Sequence, residues 1–271
     1  MLALANNQSV LPADNLKIPN GAALYIAKVG QPIGMMYGAL TDGLYQYEDF
    51  RKGSDGSWIL RDDVVSQSTH ANRKGVFPGY QKFKDLNGDL QITQEDLTII
   101  GNPNPDFTGG ITNTFRFYNF DMSLFFTFSY GNDILNMNRY YLEEGRSLSS
   151  NQFASYADRW TVDNPNGKLP RARSANNTAW GSDRYVEDGS YLRLKNLNIG
   201  YTLPVQVSQR FFVSNMRIYF SAQNLFTVTG YSGQDPTVST MSNARTPGYD
   251  YSAYPCLLYT SPSPRDGATS R

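Results

Sequence analysis

Apolar and polar residues alternate with period two through much of the chain, and helical periodicity is scarce. Over residues 121–130, Met122, Leu124, Phe126, Phe128 and Tyr130 share one face of an extended segment. Ser123, Phe125, Thr127 and Ser129 form the other. Over 110–118, Ile111, Phe115 and Phe117 oppose Thr112, Thr114 and Arg116. Over 216–228, Met216, Ile218, Phe220, Ala222, Phe226 and Val228 oppose Arg217, Tyr219, Ser221 and Gln223. Over 33–41, Ile33, Met35, Tyr37 and Ala39 oppose Gly34, Met36 and Gly38. Over 191–203 the apolar face shifts from Leu192 and Leu194 to Leu197, Ile199, Tyr201 and Leu203, which predicts a β-bulge near Lys195 and Asn196. These strands run roughly nine to fourteen residues, longer than ordinary strands and close to a tilted membrane strand.

Alternation alone does not say which face is inside. A soluble sandwich turns its apolar face inward, whereas a membrane barrel turns it to lipid and puts Thr, Ser, Arg and Gln on a wet lumen. The connections bear on the choice. Tyr118-Asn119-Phe120 joins two strands with almost no loop, and 204–215 is modest. Between Tyr47 and Phe107, and again between Gly131 and Gly189, lie stretches of about 60 residues, far beyond the usual connection. They fall at the same ends of successive antiparallel strands, and short turns at one end with long loops at the other is the outer-membrane barrel pattern. Within the second stretch, 151–160 predicts a short helix with Phe153, Tyr156, Ala157 and Trp160 on one face.

Composition narrows the classes. The 271 residues carry 24 Lys and Arg against 24 Asp and Glu. Zero net charge argues against a nucleic-acid binder and against a polybasic membrane-surface protein. No run approaches the ~18 apolar residues of a membrane helix, but a β-barrel is not excluded, because its two faces average out. One Cys, Cys256, forbids an intrachain disulfide, and zinc or Ser-His-Asp chemistry would have to rest on the single His70. The start, Met1-Leu-Ala-Leu-Ala-Asn6, has no basic leader, so either the protein is cytoplasmic or its true N-terminus lies upstream.

One motif carries metal chemistry. Residues 85–96 resemble an EF-hand or dockerin-type calcium loop, whose oxygen ligands suit a hard cation. Asp85, Asn87 and Asp89 fill the first ligand positions, Gln91 offers its carbonyl, Thr93 its hydroxyl, and Asp96 closes the loop. Ile92 fits the apolar eighth position, and Leu90 stands where the sharp turn prefers Gly. The alternative is a self-capped, Asx-rich turn without metal. The carboxylate pairs Asp62–Asp63, Glu143–Glu144 and Glu187–Asp188 read as solvated loop charge, since neighbours on a strand point apart. Trp58, Tyr80, Tyr140, Tyr141, Trp180 and Tyr185 could stack on sugars, sit in an interfacial belt or pack the loops.

The order of motifs resembles a known family. Gly30-Gln-Pro-Ile-Gly34, Tyr37-Gly38 and Thr41-Asp-Gly-Leu-Tyr45 come first. Pro78-Gly79, Phe83-Lys-Asp-Leu-Asn-Gly-Asp89, Ile100-Gly-Asn-Pro-Asn-Pro105 and Gly109-Gly-Ile-Thr-Asn113 follow. Then come Phe120-Asp-Met-Ser-Leu124, Tyr130-Gly-Asn132, Val186-Glu-Asp-Gly-Ser-Tyr-Leu-Arg-Leu-Lys-Asn-Leu197, Ser221-Ala-Gln-Asn-Leu-Phe226 and Gly248-Tyr-Asp-Tyr251. This resembles the C-terminal barrel region of the SusC/RagA family of TonB-linked outer-membrane proteins, from about Gly30 to Pro255. The resemblance implies an all-β fold: part of an antiparallel transmembrane β-barrel, an open, curved sheet of about six strands with long extracellular loops, against the ~22 of such transporters. It further implies outer-membrane location in Bacteroidota-like bacteria, no enzymatic activity, and TonB-driven import of glycan or peptide nutrients. The partners it implies are a SusD-like surface lipoprotein, TonB acting through a plug region not matched here, an oligosaccharide or peptide, and outer-membrane lipid, with no nucleic acid. No cofactor is required beyond the calcium that 85–96 could hold.

Residues 1–255 are accordingly expected to be the last part of a receptor barrel. Residues 256–271 depart from the pattern and resemble an in-frame translation of a sequencing adapter. With Pro255 before them, Pro262 and Pro264 forbid a central strand, and the lone Cys belongs to this tail. Two other readings stay open: a secreted β-rich binding module with a calcium-stabilised loop, and a β-sandwich glycoside hydrolase. Both soluble readings require Phe126, Phe128 and Phe220 inside a closed core.

Overall fold

The computed structural model describes residues 8–11, 24–67, 73, 75–143, 145, 151–172, 181–240, 245–253 and 259–260. His70, Glu144, Trp180 and Cys256 lie outside the described residues, as does nearly all of 256–271. Strands dominate. The first eight are β1 (Gln8–Leu11), β2 (Tyr25–Lys28), β3 (Met35–Ala39), β4 (Thr41–Leu44), β5 (Phe50–Lys52), β6 (Trp58–Leu60), β7 (Gln81–Phe83) and β8 (Leu97–Gly101). Then come the long β9 (Phe107–Phe117) and β10 (Phe120–Tyr130), the short β11 (Asp133–Asn136), and helix α1 (Met137–Leu142). The short β12 (Val186–Asp188), the long β13 (Tyr191–Thr202), helix α2 (Val205–Ser208) and the long β14 (Arg217–Thr229) follow. Two-residue strands β15 (Tyr249–Asp250) and β16 (Tyr259–Thr260) end the series.

The chain forms two compact units. One holds residues 105–132, 188–238 and 254–271, and its sheet has the order β16-β14-β13-β10-β9. The other holds the remainder.

In the five-stranded sheet the pairing is antiparallel throughout, and its register lines up the alternating residues of each strand. Phe117, Phe120, Tyr201 and Ile218 form one row; Phe115, Met122, Ile199 and Phe220 the next. Then follow Asn113, Leu124, Leu197 and Ala222, and after them Ile111, Phe126, Leu194 and Phe226. Gly109, Phe128, Leu192 and Val228 come next, and Phe107 beside Tyr130 closes the face. The Phe128 ring lies over Gly109, where a Cβ would meet it at 2.6 Å. The rows run about 34 Å along the strands, or roughly 25 Å at a ~40° tilt, the height of an outer-membrane barrel's lipid-facing band. Aromatic rings stand at both ends of it, as at the two interfaces of such a band.

The opposite face is mainly polar, with Phe125 and Tyr219 among its residues. Arg116, Asp121 and Gly200 share a row, as do Thr114, Ser123, Asn198 and Ser221. Arg217 donates to Asp121 at 2.6 Å, Ser221 to Asn198 at 2.6 Å, and Arg193 to Thr227 at 2.8 Å. Phe126 and Phe128 are only half-buried and Phe220 is 54% exposed. The closed core that both soluble readings require is therefore not what these side chains make.

The register slips by one residue between Leu194 and Asn196, leaving Lys195 unpaired, which is the expected bulge. The facing strand adjusts through Asn224, at φ 50°, a left-handed conformation that Asn tolerates. The Tyr118–Asn119 turn has positive φ only at its first residue, the type II′ pattern.

Several expectations are corrected. Segment 33–41 is not a wall strand: its core, β3, pairs with β2 and β8 in a separate sheet. Met35, Met36, Gly38 and Ala39 are all buried, so both of its faces are covered. Among the described residues four strands run full length in the wall, against the about six expected. The stretches between 47 and 107 and between 131 and 189 are not bare loops either. They belong largely to the second unit, which packs buried clusters around Met36, Leu135 and Tyr249, around Tyr45, Leu60 and Val76, and around Ala39, Phe83 and Ile92. The helix expected over 151–160 is a 3₁₀ turn, Ala154–Asp158, with Trp160 buried and Phe153 and Ala157 exposed. Tyr259 and Thr260 pair with Gln223 and Ala222 at the sheet's edge, where a proline-rich segment is tolerated.

Candidate functional site

The chain passes between the units beside Phe107, Tyr130, Tyr191 and Thr229, all at one end of the wall. Residues 133–187 of the other, folded unit lie in the long connection between β10 and β13, whereas its remaining parts precede β9 or follow β14. The other end carries only Tyr118–Asn119 and the 203–216 connection.

Within the folded unit lies a cleft of about 460 Å³, lined by Thr41, Gln81, Arg139, Glu143, Asp158, Lys168 and Arg184 among others. Its back wall is an ion network. Arg139 projects from α1 and donates through Nε to Glu143 Oε2 at 2.9 Å, an i,i+4 pair. Its Nη1 donates to Glu187 Oε1 at 3.3 Å and to the Arg184 carbonyl at 3.0 Å. Ser155 donates to Glu143 at 2.8 Å, and Asn136 to Glu187 at 3.1 Å. The side chains of Glu143 and Glu187 are only 8% and 13% exposed, so one guanidinium compensates two sheltered carboxylates. Arg184 donates to Gln81 at 3.0 Å, and Gln81 to the Gly43 carbonyl at 2.7 Å. Chemically the cleft offers fixed charges of both signs and hydrogen-bonding groups, which suits recognition of a polar solute.

Sequence reasoning saw Glu143 and Glu187 only as members of adjacent carboxylate pairs and missed Arg139. The i,i+4 spacing of Arg139 and Glu143 was the available signal. Of the other paired carboxylates, Asp63 is held by Arg61 at 2.6 Å, Asp62 lies 3.5 Å from Arg51, and Asp188 accepts the Ser190 N–H at 2.8 Å. The aromatics mostly pack: Tyr80, Tyr140 and Tyr185 are buried, Trp58 is half-buried against Tyr47, and Tyr141 rests on Tyr251.

The 85–96 loop is closed by its own hydrogen bonds. Asp85 accepts from Gly88 at 2.6 Å and from Leu90 at 2.7 Å, one bond on each oxygen. Asn87 accepts from Asp89, and Asp89 from Gln91. The Asn87 amide also donates to Asp89 and Glu95 at 3.2 Å. Asp96 is fully buried and accepts from Leu86 at 2.9 Å and from Thr93 at 2.7 Å, tying both ends of the loop together. Ile92 is buried in the cluster with Ala39 and Phe83. Among the described residues, no three or more His, Cys, Asp and Glu are placed to hold a metal ion.

Leu90 occupies φ 62°, the left-handed position where the motif prefers Gly. Leu90→Gly should therefore tighten the loop by about 0.5–1 kcal/mol, after deducting the extra freedom of Gly in the open loop. Proteolytic nicking within 85–96 should slow roughly two- to fivefold, and faster nicking would refute the strain at Leu90. Acid should have the opposite effect. Desolvation alone would raise the Asp85 carboxyl, but the N–H groups of Gly88, Leu90, Asp89 and Asn87 outweigh it and hold it below the usual aspartate range. Its contribution is thus present above about pH 3.9 and lost as pH falls through the lowered value. Pepsin should leave the loop intact near pH 4 and cut it faster in stronger acid. A rate unchanged across that window would show that Asp85 does not close the loop.

The comparisons place this architecture. No model of a known protein family matches the chain. It is 36% identical over 259 residues to TonB-dependent receptor P3 of Formosa agariphila, covering 89% of this chain and 24% of that protein. TonB-dependent receptor P26 of the same organism is 31% identical over 207 residues, covering 74% and 20%. TonB-dependent receptor SusC of Bacteroides thetaiotaomicron is 26% identical over 178 residues, covering 64% and 16%. Among solved structures, the RagAB peptide importer in its closed-closed state superposes with a TM-score of 0.59 at 22% identity. That match covers 94% of this chain and 24% of the importer chain and shares its fold. The chain thus spans about a quarter or less of its relatives' length. Two-faced strands of barrel length and this kinship agree: the chain belongs to the TonB-dependent receptors, with SusC and the RagAB importer among its relatives, and forms part of an outer-membrane β-barrel.

Proposed function

We propose that the protein takes part in TonB-driven import of glycan or peptide nutrients across the outer membrane, together with a SusD-like surface lipoprotein. The observation that carries this reading is the two-faced wall: one apolar face of barrel height and one polar face bearing Arg193, Arg217, Asp121 and Ser221. It is supported by relatives named as TonB-dependent receptors and by a neighbour named as a peptide importer. The polar face lines the solute path, and the cleft of the other unit offers charged and hydrogen-bonding groups to a solute. The protein positions a solute and catalyses no bond change.

The test is genetic. Deleting the complete gene should abolish growth on one class of polymeric nutrient, oligosaccharide or peptide, while growth on its monomers persists. Uptake of a fluorescent oligomer of that class should require both this gene and TonB. Uptake that continues without TonB would overturn the reading.

A further inference from the structure

The charged side chains of the wall are unevenly divided by sign. Strands β9, β10, β13 and β14 carry four cations, Arg116, Arg193, Lys195 and Arg217, against one carboxylate, Asp121. The chain as a whole is neutral, so the excess belongs to this sheet and not to the composition. The register puts these groups on the polar face. Arg116 stands opposite Asp121, Arg193 between Thr127 and Thr227, and Arg217 opposite Thr202. Lys195 is the extra residue of the bulge, between Leu194 of the apolar face and Asn196 of the polar one. Alternation from Leu194 turns it to the polar side, and a Lys facing lipid at that height would be costly.

Two of the four cations are neutralised. Arg193 is paired with Asp235 of the following connection at 2.6 Å, both side chains being sheltered. Asp121 is opposite Arg116 in the register yet bonds Arg217, reaching it across Gly200, where a Cβ would strike the pair. Arg116 and Lys195 are exposed and have no ion-pair partner among the described residues. Five residues along β13 separate Lys195 from Gly200 in the row of Arg116, or ~17 Å. That is about two Debye lengths, so the two cations do not share one small anion but meet separate charges on an extended one. Between them lie Ser123, Asn196, Asn198 and Ser221, whose hydroxyls and amides both donate and accept, as sugar hydroxyls do. Tyr219, 71% exposed in the row of Arg116, adds an aromatic face for a sugar ring. Pores lined by Arg and Lys select anions. We propose that the solute drawn along this face is an acidic oligosaccharide, whose carboxylate or sulfate groups Arg116 and Lys195 meet in turn. The proposal rests on the import reading and on the polar face lining the solute path.

The experiment uses the full-length receptor in detergent micelles and follows the fluorescence anisotropy of labelled oligomers of equal length: oligogalacturonate, its neutral methyl ester and oligoglutamate. The acidic sugar should bind roughly three- to tenfold more tightly than its ester, the scale of two exposed ion pairs, and the margin should shrink as salt is added. Arg116→Gln combined with Lys195→Gln should remove that margin, whereas Lys52→Gln, on β5 in the other unit, should leave it unchanged. Equal binding of sugar and ester, no binding of the acidic sugar, or an undiminished margin in the double variant overturns the proposal. So does oligoglutamate bound as tightly as the acidic sugar, which would make the occupant a peptide. The sugar and ester are compared on the unsubstituted receptor, so the proposal stays falsifiable if the double variant does not fold. TonB-dependent uptake of a neutral oligomer alone would leave the import reading standing while this proposal fell; uptake without TonB would end the import reading whatever is bound.

Discussion

Leu124→Arg should prevent the full-length receptor from assembling in the outer membrane, whereas Thr114→Arg should leave assembly intact. Leu124 stands at mid-height of the apolar face, between Asn113 on β9 and Leu197 on β13. An Arg at that depth costs about 2–4 kcal/mol on the lipid side of a barrel. A few kcal/mol is a large share of the stability of any folded chain. Thr114 lies on the other face, opposite Ser123, where an added Arg meets water and polar neighbours such as Asn198 and Ser221. The readout is the heat-dependent change in gel migration of each variant in the outer-membrane fraction. Equal loss of the folded band in both would mean that the polar face is not wet, and the two-faced wall would have to be abandoned. Loss of Thr114→Arg alone would invert the faces.

The contrast works because the wall carries its chemistry in the local sequence. Leu124, Phe126 and Phe128 against Ser123 and Thr127 is a period-two signal that needs no distant partner to be read. The bulge was legible for the same reason: the apolar face slips at Lys195, where the ladder leaves that residue unpaired. Its counterpart on β14, Asn224 in the left-handed region, left no mark, because Asn-Leu-Phe reads equally well as continuous strand. Segment 33–41 alternates as convincingly as the wall strands yet lies elsewhere, since Met36 and Gly38 are buried as well as Met35 and Ala39. A strand covered on both faces borrows its environment from other parts of the chain, and alternation then carries no sidedness. The folded unit was illegible for that reason. Its core joins Leu24, Met36, Leu135, Tyr185 and Tyr249, which share no local period.

The 85–96 loop lies between these cases. Its Asx pattern was visible, and the structure gives each oxygen of Asp85 and Asp96 a backbone N–H. Leu90 adopts the left-handed turn despite its side chain. The backbone demand of the motif therefore outweighs the preference of the residue placed there.

The cleft shows what sequence spacing cannot supply, because Arg139 gathers partners from residues 143 and 187 and its conformation rests on both. Arg139→Ala should destabilise the folded unit by about 3–5 kcal/mol, the range for removing one partner of a buried ion pair. Glu143 and Glu187 would be left sheltered without the guanidinium that Ser155 and Asn136 supplement. Limited proteolysis of the full-length receptor should then cut within 133–145 and 183–187 while the wall strands stay protected. Replacing the whole network by neutral side chains of similar size, as Arg139→Met with Glu143→Gln and Glu187→Gln, should recover most of the loss, since no unpaired charge remains. If that triple variant is as unstable as Arg139→Ala, the packing of the guanidinium and its stem sets the stability, not its charge. If Arg139→Ala is no more susceptible than the unsubstituted receptor, the network does not hold the cleft at all. The triple variant also separates stability from recognition: a correctly folded receptor without these charges should still bind a neutral oligosaccharide, but should lose affinity for a charged solute that relied on them.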